Sequence, residues 1–145
     1  MVAFEPSARG RAALRFAGEL ASQAGKGLIV GVFAPLERLD VGCARCRHGA
    51  AIWNVEMGKV AHEELAEAAR LLDPEGLSVR YLTIRGDDVA AITGAAVEFG
   101  ADLLVVPFQA DRRLGIFPRR TLAQRLAGDG AVTVIAGPEA RSIGD

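Results

Sequence analysis

Hydrophobic positions along the chain switch repeatedly between short continuous runs and a helical spacing, and Gly, Pro, Asp or Ser marks each switch. Val2 to Phe4 reads as a short first strand. Ser7 then caps a helix that carries Ala13, Phe16, Ala17, Leu20 and Ala24 along one face, with Gly25 and Gly27 punctuating its end. Gly27 to Phe33 is apolar without alternation, as in a strand covered by helices on both faces. Pro35 closes it. A second helix is predicted from near Ile52, carrying Met57, Val60, Ala61, Leu65, Ala68, Leu71 and Leu72 before Asp73-Pro74-Glu75-Gly76 stops it. Leu77 to Ile84 alternates as a strand, a shorter helix follows from about Asp87, and Gly100 ends it. Ala101 to Val106 is the fourth strand. Pro118 suits the first turn of a last helix, and Ala131 to Ala136 is a fifth strand rich in β-branched residues.

Strand and helix alternate throughout, with crossovers long enough for right-handed parallel connections, so the fold class is α/β with a parallel sheet. The chain of 145 residues reads as one domain, with an irregular stretch from Ala34 to Ala51. Its 17 basic and 18 acidic side chains leave a formal charge of −1, without the basic excess of a nucleic-acid or anionic-membrane binder. No apolar run approaches the ~18–20 residues of a membrane span, and Met1 to Pro6 lacks the features of a secretory signal, so a cytoplasmic location is expected.

Open parallel sheets bind ligands at the carboxyl ends of their strands, where helix N-termini present unpaired N–H groups. That rule selects Glu5, Pro6 and Ser7 after the first strand and Val32 to Ala34 after the second. It also selects Pro107 to Ala110 after the fourth, with Arg119, Arg120 and Thr121 at the last helix.

At these positions the chain resembles the universal stress protein family. Val2-Ala3-Phe4-Glu5-Pro6-Ser7 followed by Arg11-Ala12-Ala13-Leu14 is similar to the family's opening strand and helix, and Gly100 to Val106 to the strand that leads into its phosphate loop. Thr121 to Leu126 is similar to the helix after that loop. The resemblance implies an open five-stranded sheet of order 3-2-1-4-5 with helices on both faces, a nucleotide-binding-like fold. It places Glu5 near an adenine, and it implies a homodimer paired through the fifth strand, which is apolar enough to seek a covering partner. ATP-binding members use G-x2-G-x9-G-[ST]. Here Pro107, Ala110 and Arg120 stand at the three glycine positions and Thr121 keeps the hydroxyl. Proline removes a donor, and side chains fill space where bare backbone must approach phosphate, so tight ATP binding is not expected. The candidate crevice is then Glu5, Ser7, Val32, Pro107, Gln109, Ala110, Arg119, Arg120 and Thr121. An alternative uses Arg112, Arg113, Arg119, Arg120 and Arg125 to replace the lost donors around a small anion. The bland account, that these arginines are simply solvated, fits a chain with 15 Arg and 2 Lys.

Both cysteines and both histidines, Cys43, Cys46, His48 and His62, fall within 20 residues. Two thiolates and two imidazoles are the donors of a tetrahedral zinc site, and the flanking Arg45 and Arg47 favour thiolate. The spacing is not that of a known finger, and c-type haem and thioredoxin-like chemistry fit less well. Against zinc stands a loop with two ordinary thiols and His62 on the wet face of a helix. No nucleophilic triad or paired-acid motif is visible, so the expected roles, in order, are a regulatory or scaffolding dimer, a zinc or redox sensor, and an anion binder.

Overall fold

Alternate residues of the central strands enter opposite hydrophobic layers, and this parity organises the molecule. The computed structural model describes residues 1–35, 44–72, 76–86, 89–109, 113–114, 117–118 and 120–139. In chain order the elements are β1 (Val2–Phe4), α1 (Ala8–Gln23), β2 (Leu28–Ala34), α2 (Ala44–Leu71), β3 (Val79–Arg85), α3 (Val89–Glu98) and β4 (Leu103–Val106). They continue with β5 (Arg113–Leu114), β6 (Phe117–Pro118), α4 (Leu122–Asp129) and β7 (Thr133–Ala136). The main sheet runs β3-β2-β1-β4-β7, all parallel, so β7 is the expected fifth strand and lies at an edge.

Val2, Phe4, Val30, Val32 and Val105 point into one layer and are covered by Ala13, Leu14 and Ala17 of α1 and Ala61 and Ala68 of α2. Ala3, Leu104 and Val106 point the other way, against Ile92 and Ala96 of α3 and Leu126 of α4. Small residues on α1 bring it close to the sheet: a Cβ on Gly137, just past β7, would lie 2.8 Å from that of Ala13.

Three features depart from the sequence reading. Helix α2 begins at Ala44, about two turns before Ile52, so residues 44–51 are helical rather than irregular. Alanine and arginine are strong helix formers, and a first stretch without an apolar stripe is invisible to a search for periodicity. Val60, expected on the buried face, is exposed. Pro118 lies in the β5–β6 antiparallel bridge rather than in a helix, and Thr121 is the N-cap of α4, whose hydroxyl accepts from Gln124. Its capping box T-x-x-Q is written in the sequence three residues beyond the proline.

Candidate functional site

Strand β1 lies between β2 and β4; the chain runs from β1 to β2 on one side and from β4 to β7 on the other, and these opposite directions open a crevice above the carboxyl end of β1. Ala3, Phe4, Glu5, Pro6, Phe33, Glu64, Ile92, Pro107 and Leu122 line a cavity of about 250 Å³ there. Among the described residues it holds two carboxylates and no basic side chain.

The elbow from β1 into α1 is tightly made. The Ser7 backbone N–H donates to the Glu5 carbonyl at 2.8 Å, and the Ser7 hydroxyl donates to the Glu5 carboxylate at 2.6 Å. The same hydroxyl oxygen accepts from the Gly10 N–H at 3.0 Å, capping α1. Ser7 is therefore committed to the chain itself. Across the crevice Glu64 comes from α2; partial burial, and then the neighbouring carboxylates of Glu67 and Glu5, raise its pKa above the ordinary glutamate value. One turn on, Glu67 accepts from Arg11 of α1 at 2.6 Å, joining the two helices beside the crevice.

Beyond the crevice, Pro107, Phe108, Gln109, Thr121, Ala123, Gln124 and Ala136 line a cleft of about 300 Å³ at the start of α4. Helix N-termini attract anions through their free N–H groups, but here three of them have side-chain partners. Thr121 donates to Gln124 Oε1 at 2.9 Å, Leu122 donates to Gln109 Oε1 at 3.1 Å, and Gln124 donates to Thr121 Oγ1 at 3.2 Å. The start of α4 is closed on itself.

Of the residues selected from sequence, Glu5, Pro6, Phe33 and Pro107 line the crevice, while Pro107, Phe108, Gln109 and Thr121 line the cleft beside it. Arg120 is exposed before α4 and lines neither. Val32 is fully buried in the layer beneath α1 and α2; its neighbour Phe33, of opposite parity, is the β2 residue in the crevice. Ala110, Arg112 and Arg119 lie outside the described residues. Sequence reasoning missed Glu64, Ile92 and Leu122, because each comes from a helix whose rotation over the strand ends is set only by packing.

Of the four residues read as metal ligands, His48 and His62 do not meet. His48 and His62 are both exposed on the single helix α2, fourteen residues and so about 21 Å apart along its axis. Cys43 and the side chain of Cys46 lie outside the described residues, and among the described residues no group of three His, Cys, Asp or Glu is placed to hold a metal ion. A larger cavity, about 500 Å³, is at the opposite end of the sheet, lined mainly by Ala17, Leu20, Ala21, Leu28 and Leu103 with Lys26 and Asp102 at hand. It lies away from the strand ends at which this fold class places ligands.

An open parallel sheet of this order, helices on both faces and a crevice at the switch point, defines the nucleotide-binding-like α/β class. Within it the fold is that of universal stress proteins. A protein of that family from Burkholderia pseudomallei superposes with a TM-score of 0.62 at 21% identity, over 94% of this chain and 93% of its own. The universal stress protein from Archaeoglobus fulgidus gives 0.65 at 22%, over 94% and 96%. A universal stress protein in complex with cAMP gives 0.65 at 22%, over 94% and 95%. No family profile and no curated protein matches the sequence.

Proposed function

We propose that the chain is a universal-stress-protein-like dimer, regulatory or scaffolding in its role in a stress response, that does not hold ATP tightly. The observation that carries this reading is the self-closed start of α4. The N–H groups of Thr121, Leu122 and Gln124 already donate to side-chain oxygens of the same chain. A phosphate would have to displace those acceptors, without the bare backbone that glycine would provide at Pro107 and Arg120. The two carboxylates in the adjoining crevice oppose an anion further. Pairing through β7 is supported by its edge position and by Ile135, 37% exposed on that strand.

Calorimetric titration with Mg-ATP and with cAMP tests the crevice. No saturable binding at micromolar protein is the expected result; nucleotide retained through purification, or a sub-micromolar Kd, would overturn the reading. Light scattering tests the dimer, and a monomer at all micromolar concentrations counts against it.

A further inference from the structure

The N-terminal half of α2 carries an apolar and charged outer face that no other described element covers. Four of the six large hydrophobic side chains exposed among the described residues, Ile52, Trp53, Val55 and Val60, fall within its residues 52–60. Among the described side chains from 45 to 60, none belongs to either hydrophobic layer of the sheet. Along the outer face Arg45, Gly49, Ile52, Glu56, Lys59 and Glu63 recur at alternating spacings of four and three, the seam spacing of paired helices, and all are exposed. Trp53 and Val60 border this seam on one side and Val55 on the other. Gly49 sits within it, where an added Cβ would meet nothing within 4 Å. A glycine inside a helix is less stable than alanine, and here it leaves a shallow point for the approach of another helix.

We propose that this face docks on the same face of a second copy of the chain, the two helices antiparallel. Its charge order selects that occupant and that direction. The seam begins with Arg45 and ends with Glu63, about 27 Å apart along the helix. An antiparallel pair with its two-fold axis beside residue 54 sets Arg45 against the second copy's Glu63 at both ends, Gly49 against Lys59, and Ile52 against the stem of Glu56. A parallel pair would oppose like charges at Arg45, Glu56, Lys59 and Glu63. Near the axis the two Trp53 side chains come together, and large aromatic side chains dominate the energetics of such contacts. Helix α2 packs on β2 and β3, at the far side of the sheet from β7, so this contact is separate from pairing through β7. Two different two-fold contacts on one chain would build assemblies larger than a dimer.

The test uses the full chain, with Trp53, its only tryptophan, as reporter. Fluorescence is followed against protein concentration for the wild type, Arg45→Glu, Glu63→Arg, and an equimolar mixture of the two variants, with circular dichroism confirming that each is folded. The wild-type emission should move to shorter wavelength as concentration rises, and each variant alone should need roughly ten times more protein. The mixture should return to the wild-type midpoint, because a mixed pair places unlike charges at both ends. Pairing through β7 would leave Trp53 unmoved. The proposal is overturned if the emission is independent of concentration, if both variants alone behave as the wild type, or if only anionic lipid vesicles shift it.

Discussion

Gly10→Ala should destabilise the protein, although alanine is the better helix former. Gly10 sits in the first turn of α1, and a Cβ built on it would lie 2.0 Å from the Glu5 carbonyl oxygen and 2.8 Å from the Glu5 Cγ. Ordinary contact needs about 3.5 Å, so helix and elbow must separate by about 1.5 Å. Neither side yields easily. The Glu5 carbonyl accepts from Ser7, Phe4 is held in register with Val32, and Ser7 Oγ accepts from Gly10 itself. Overpacking of this kind costs about 1–3 kcal/mol, and a weakened N-cap adds about 1 kcal/mol. The alanine returns about 0.5–1 kcal/mol of helix propensity, leaving a net loss of about 1–3.5 kcal/mol. For a domain of this size that lowers Tm by about 3–11 °C. Gly94→Ala is the matched control: it lies exposed within α3 with nothing within 4 Å of an added Cβ, and should gain about 0.5–1 kcal/mol. Urea unfolding of both variants measures the contrast. A Gly10→Ala protein as stable as the wild type would show that the elbow is looser than these distances require, and that Glu5 is not held at the crevice as described.

Leu126→Ala should cost about 3 kcal/mol in urea unfolding, because Leu126 is 0% exposed and is the α4 residue fully buried against the sheet; a loss below about 1 kcal/mol would mean that α4 is loosely seated. Thr121→Ala removes one half of the α4 capping box and should cost about 1 kcal/mol. It also frees the Gln124 N–H, so a weak gain in phosphate binding by calorimetry should accompany the loss. The Glu64 pKa is raised by burial and by Glu67 and Glu5, so its ionised form opposes folding at pH values above its folded pKa and ceases to do so below the ordinary value of 4.5. Glu64→Gln should therefore be more stable than the wild type at pH 7, and the difference should close as the pH falls below about 4.5; a difference independent of pH would assign the effect to packing.

Strand parity and helix stripes are local properties, and they were enough to read five strands, four helices and the parallel class from the chain, because each buried position repeats at the period of its own element. The resemblance at Glu5 to Ser7 and Gly100 to Val106 supplied the strand order that the sheet adopts. The same resemblance implied that Pro107, Ala110 and Arg120 stand at the family's glycine positions, an expectation that rests on spacing alone. The start of α2 at Ala44 was not legible, because a helix with a solvated first stretch has no hydrophobic period to follow. Packing decided which of Val32 to Ala34 enters the crevice, namely Phe33, and that Glu64, 59 residues from Glu5 in the chain, stands opposite Glu5. Gln109 closing the start of α4 belongs to the same category, for its partner Leu122 lies 13 residues away in the chain. Sequence determines what each element buries; which side chains meet between elements is settled by how the helices rotate and slide as both layers of the sheet are filled together.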